Sequence, residues 1–120
     1  MDAMVSIPRA ENTAWGFYGT MGERAEEAWP VAAKAIAAAT GSEPDHVRAF
    51  LDSRHGRHFA NDVACEMATG AVLEDAICTT VRRWMESRVG ARTSRDYGIP
   101  QGLPYLAGLV ISYGVAAESA

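Results

Sequence analysis

The chain has 120 residues and a mass of 12.9 kDa, one domain by the usual size relation. Hydrophobic residues make up 48% and charged residues 22%, which excludes a disordered tail, a collagen-like chain and a disulfide scaffold. A net charge of −4 and a pI near 5.3 exclude a molecule that binds nucleic acid through bulk charge.

Charge is unevenly spread. Met1 to Asp45 holds three basic residues (Arg9, Arg24, Lys34) against seven acids, whereas His46 to Pro100 holds eight arginines against seven acids. Five of those arginines, Arg82, Arg83, Arg88, Arg92 and Arg95, fall close together. Such polarity fits solvated helix faces or a partner-binding surface. Cys65 and Cys78 form no CxxC pair and read as small core residues in a reducing compartment. Asp2 stands where a basic signal-peptide region belongs, and Gly98–Ala117, the longest uncharged stretch, is interrupted by two prolines and four glycines. The expectation is a cytoplasmic protein.

In chain order, residues 1–22 show little periodicity and read as an irregular arm packed on a helical body. Met4–Ile7 alternates briefly like a strand, and Trp15–Met21 sets three aromatics between glycines. A first helix is predicted from about Glu26 to Thr40, with Gly41 as its stop and Ala25, Trp29, Ala32, Ala33 and Ile36 as its apolar stripe. Pro30 fits if it lies in the first turn. A second helix is predicted from a Ser42-x-x-Asp45 cap, with Pro44 in its first turn and Val47, Phe50 and Leu51 buried. Gly56 then breaks or bends the chain. A third helix carries Phe59, Val63 and Met67 and stops at Thr69-Gly70. A fourth buries Leu73, Ile77, Thr80, Val81, Trp84 and Met85 and ends at Gly90. Thr93–Asp96 opens a single turn closed by Gly98, and residues 99–104 form a turn-rich connector. Pro104 starts a last helix with Leu106, Leu109, Val110 and Tyr113 inward, while Ala107, Gly108 and Gly114 allow a neighbour to approach closely. The fold expected is an all-α, single-domain compact bundle of about five short helices over residues 1–120.

The densest polar run is Asp52-Ser53-Arg54-His55-Gly56-Arg57-His58. On one continuous helix His55, His58 and Asp62 would share a face, and two imidazoles with a carboxylate can hold a metal. That arrangement would make a metal-dependent enzyme. Arg54 and Arg57 would repel a cation there, and local pairing of the histidines with Asp52 or Asp62 explains the run without a metal. Ser53 beside His55 lacks the rest of a nucleophilic triad, and the chain has no GxSxG, phosphate-loop or dinucleotide-binding pattern. No cofactor, no metal and no enzymatic activity are therefore expected. The arginines from Arg82 to Arg95 could touch phosphates with Trp15 or Tyr18 stacking a base, although Arg82 and Glu86 are spaced as helical partners.

Phe50-Leu51-Asp52-Ser53-Arg54-His55-Gly56-Arg57-His58-Phe59-Ala60, with Asp62-Val63, resembles a run in short accessory proteins of proteobacterial conjugative plasmids and integrative elements. Glu11–Phe17 with Gly19-Thr20-Met21 is similar to the front of those proteins. Thr93-Ser94-Arg95, Gly98-Ile99-Pro100 and Gly102–Leu106 are similar to their rear. The likeness spans nearly the whole chain and implies a setting, a mobile genetic element, in which small proteins such as the anti-CRISPR proteins block host defences. The expected function is a non-enzymatic inhibitor that binds a protein complex of a host defence system. The alternative is a nucleic-acid-binding regulator of the element. Asp52–His58 and Arg95–Tyr105 are expected as two adjoining loops forming the contact patch, with Asp52, Arg54, His55, Arg57, His58, Arg95, Tyr97 and Tyr105 in it.

Overall fold

The computed structural model describes residues 25–119; the N-terminal arm, the Met4–Ile7 strand and the Trp15–Met21 segment lie outside them. Six helices follow one another: α1 (Ala25–Thr40), α2 (Pro44–Leu51), α3 (Arg54–Ala68), α4 (Leu73–Glu86), α5 (Ala91–Tyr97) and α6 (Tyr105–Ser119). The all-α expectation holds. Among the described residues the only β-type pairing is an isolated antiparallel bridge between Arg88 and Pro104.

α1 is alanine-rich and so pays little side-chain entropy on forming. It buries Ala28, Ala32 and Ile36, a stripe rotated from the predicted one, because Trp29 is too large to enter fully and remains half-buried. Pro30 lies six residues into the helix rather than in its first turn, so its ring nitrogen has no proton to give the preceding turn. Gly41, at φ +68°, ends α1 in the left-handed region, and its amide donates to the Ala37 carbonyl at 2.8 Å.

The Ser42 cap does not form. α2 starts at Pro44 after an extended Glu43, and the Ser42 hydroxyl pairs instead with Thr40 Oγ1 at 2.8 Å. Val47, Phe50 and Leu51 are buried as the period requires. The chain break comes at Asp52-Ser53, and Gly56, expected as the breaker, lies inside α3. Ser53 caps α3: its Oγ accepts from the Gly56 amide at 3.1 Å and donates to the Phe50 carbonyl at 2.5 Å. Phe59, Ala60 and Val63 complete the buried face of α3.

α4 carries Glu74 and Asp75 in its first turn, where the helix dipole favours acids, and Arg83 in its last. It ends at Ser87 rather than Gly90, because the next residues leave to pair with the connector. Tyr105 N–H donates to the Ser87 carbonyl and Val89 N–H to the Leu103 carbonyl, each at 2.8 Å. Gly90 instead opens α5, a seven-residue helix where a single turn was expected. Ser94 Oγ holds its far end by donating to the Ile99 carbonyl.

α6 is the spine. Its Leu106, Gly108, Leu109, Val110 and Gly114 are buried, and it lies most extensively along α2. Val89 and Ile99 occupy the space a side chain at 108 would need, and the His46 ring occupies that at 114. His46 Nε2 also meets Glu118 Oε2 at 2.6 Å, tying the start of α2 to the end of α6. α3 and α1 both pack against α4. Phe50 sits where these layers meet, fully buried, with its ring 6.1 Å from Phe59, 6.2 Å from Trp84 and 6.5 Å from Tyr113. Cys65 and Cys78 are exposed free thiols, contrary to the core role expected.

Candidate functional site

Of the two segments expected as adjoining loops, 52–58 is mostly the start of α3, whereas 95–105 keeps its connector over 98–104 and is helical only at its two ends. Arg54, His55, Arg57 and His58 form the first turns of α3; Arg95 and Tyr97 end α5; Tyr105 opens α6. The tertiary fold brings His55 of the first segment against Tyr97 and Tyr105, near the two ends of the second. The His55 ring lies 5.7 Å from Tyr97, 6.4 Å from Tyr105, 5.6 Å from Tyr113 and 6.3 Å from His58. His55 Nδ1 and Tyr113 Oη are 2.6 Å apart.

The protonation of this cluster follows from its surroundings. Burial lowers the pKa of His55, and the neighbouring Arg54 and His58 charges lower it further. Burial pushes the Tyr113 hydroxyl up to about 12, with Tyr97 raising it and Ser53 and Arg54 pulling it back. Neutral His55 therefore accepts the Tyr113 proton at Nδ1 and keeps its own proton on Nε2. Tyr97 Oη stands 3.5 Å from Tyr113 Oη and is the donor of that weaker contact. Burial raises the Tyr105 hydroxyl as well.

Around this half-buried centre Arg54, Arg57 and His58 are exposed, and α3 has no acid in its first turn. Cations at a helix N-terminus oppose the dipole, each by roughly 0.3–1 kcal/mol when exposed, so the turn presents positive potential outward. Asp52 caps the end of α2 beside it and is half-buried. Arg95 is exposed on α5.

The metal constellation does not assemble. Asp62 Oδ2 accepts from Trp84 Nε1 at 2.8 Å, and His55 Nδ1 is taken by Tyr113. Among the described residues no three His, Cys, Asp or Glu side chains converge. His55 Nδ1 thus meets Tyr113 of α6 rather than Asp62 of its own helix, whose carboxylate takes the Trp84 N–H. Arg82 and Glu86 do not pair either: Arg83 reaches across to Glu66 at 2.7 Å, and Arg92 leans toward Asp96 at 3.9 Å.

Tyr113, expected inward on α6, does pack on the core, and it also anchors the cluster, a role not expected of it. Its spacing carried a signal, since Tyr105, Leu109 and Tyr113 recur every four residues and share one face of α6. The chain matches no family model, and no curated protein or solved structure is significantly similar to it.

Two histidines should titrate on opposite sides of 6.5, the ordinary value. His46, hydrogen-bonded to Glu118 and near Glu43 and Asp45, is raised, while His55 is lowered. The stabilisation from His46 is present below pH 6.5 and lost as pH rises through its folded value. That from keeping His55 neutral is present above pH 6.5 and lost as pH falls through its folded value. Ring-proton chemical shifts followed by nuclear magnetic resonance should give one midpoint above 6.5 for His46 and one below for His55. Equal midpoints would refute both contacts.

Proposed function

We propose that this protein is a non-enzymatic binding protein of a mobile genetic element, acting by docking on a protein complex of a host defence system. The observation that carries the binding role is the meeting of α3's basic first turn with Tyr97 and Tyr105 around His55. It makes one surface of exposed arginines beside partly buried aromatic rings, the residue types that dominate protein interfaces. The setting and the kind of partner rest on the likeness to plasmid accessory proteins. Nucleic-acid regulation is the weaker reading, because Arg83 is neutralised by Glu66 and Arg92 leans on Asp96 within the expected phosphate-binding set.

The test is expression in a bacterium whose defence complex restricts an incoming plasmid. Plasmid survival should rise, the complex should co-purify with the protein, and Arg54→Ala and Arg57→Ala should each abolish both effects. Each loss should reach about 2 kcal/mol of binding with an unchanged melting temperature, as for an interface anchor. Binding that falls steeply with salt and follows nucleic acid rather than protein would establish the regulator instead. A variant that melts low but still binds would make the turn architecture only.

A further inference from the structure

Three large apolar side chains are exposed among the described residues: Val72, at the start of α4, and Ile111 and Val115, 41% and 52% exposed on α6. The latter two lie one turn apart on the same helix face. α6 carries no charged side chain before Glu118. With Asp96, Tyr97, Gly98, Ile99, Ser112 and Ala116 they line a groove of about 340 Å³ between the end of α5 and α6, with room for a bulky side chain.

Tyr97 belongs to both places. One side of it lines the groove, and its ring packs 5.7 Å from His55 and 5.9 Å from Tyr113 in the cluster behind α3's basic turn. Arg54 is close enough to this cluster to act on the ionisation of both His55 and Tyr113. Apolar groove and positive turn are thus continuous across one tyrosine. Asp96 is the groove's single acid, and Arg92 stands 3.9 Å from it.

We infer that the α5–α6 groove and the basic turn of α3 together receive an acidic peptide segment of the partner, a bulky aliphatic or aromatic side chain entering beside Ile111 and Val115 while its carboxylates meet Arg54 and its neighbours. This rests on the contact-patch reading above and adds the chemistry of what is recognised. Charge complementarity selects this occupant. A twofold contact between two copies would set the same patch against itself, bringing Arg54 toward its own counterpart. An acidic segment meets the same cations favourably, and the arginine fork suits carboxylates.

A phage library of random dodecapeptides selected against the full chain tests this directly. Enriched peptides should combine Asp or Glu with Leu, Ile, Phe or Trp. Synthetic versions should bind Val115→Glu and Arg54→Glu each about thirtyfold more weakly, and bind Val72→Glu unchanged. Ile111→Gln replaces Val115→Glu if circular dichroism shows that variant misfolded. No enrichment, or enriched peptides lacking acids, overturns the inference. Loss on Arg54→Glu alone overturns the groove and leaves the basic patch standing; loss on Val115→Glu alone overturns the patch and the acidic peptide with it. A dimer in sedimentation that Val115→Glu converts to monomer puts a second copy in the groove and also overturns the inference.

Discussion

Gly56→Ala is expected to destabilise the protein by about 3 kcal/mol, the upper range for forcing extra volume into a packed interior. Helix propensity by itself predicts the opposite, a gain of roughly 1 kcal/mol from replacing an interior glycine with alanine. The sign is reversed because a Cβ at 56 would meet the Leu51 and Phe50 carbonyl oxygens, with the Leu51 carbonyl carbon at 2.6 Å. Those atoms are backbone at the end of α2, and they cannot rotate away as a side-chain tip can. Ser53 also holds the corner, bonding the Phe50 carbonyl and the Gly56 amide at once. Relief would require α2 and α3 to separate, and with them Phe50 and Phe59. Gly41→Ala is the matched control: nothing lies within 4 Å of a Cβ there, and the substitution carries only the strain of its φ of +68°, about 1–2 kcal/mol. Thermal melts should show Gly56→Ala lower by roughly 10–20 °C, well below Gly41→Ala. A Gly56→Ala variant as stable as the parent would mean that α2 and α3 do not meet at this corner.

Phe50→Ala should be the larger loss, about 4 kcal/mol, within the range for emptying a phenylalanine site in a core. Phe50 is fully buried and its ring meets Phe59 from α3, Trp84 from α4 and Tyr113 from α6. Those three contacts come from three different helices, so collapse of one neighbour cannot refill the cavity. Edge-on and tilted ring pairs add to the area term. Against a total stability of roughly 5–15 kcal/mol for a domain, such a loss leaves a large unfolded fraction. Urea unfolding should move the midpoint down with little change in slope, since the surface exposed on unfolding is nearly the same. The effect should also reach the candidate site, because Tyr113, which holds His55, loses its support on the core side. A midpoint shift equal to that of an exposed substitution such as Val72→Ala would show that Phe50 is not the hub.

How far the candidate site could be read in the sequence depends on the residue. The run Arg54–His58 stands out by its composition, and Tyr97 and Tyr105 by their place between turn-forming residues, so all were legible as candidates. The connector at 98–104 is non-helical as expected, but Arg54–His58 is helix, because glycine at 56 suggests a break when only composition is weighed. In the fold that glycine is needed for close approach at a helix corner. Trp84 and Asp62 each have an ordinary local explanation, an apolar stripe and a possible ligand. Their hydrogen bond, across 22 positions of sequence, follows from α3 lying on α4. The exposed thiols make the same point, since a cysteine's place on a helix says little until the neighbouring helix is located.

The sequence by itself determined the all-α class, the left-handed stop at Gly41 and most of the buried core, from Ile36 and Phe50 to Leu106 and Leu109. These are local properties: a period of 3.6 residues, a propensity and a backbone preference are written within one turn or two. Tertiary structure decided that Trp29 and Trp84 are half-buried, that Gly56 belongs to a helix, and that His55 meets Tyr113 across 58 positions. Those depend on which helices become neighbours and at what separation, and that is set by the packing of α6 along α2, where glycine at 114 lets His46 approach.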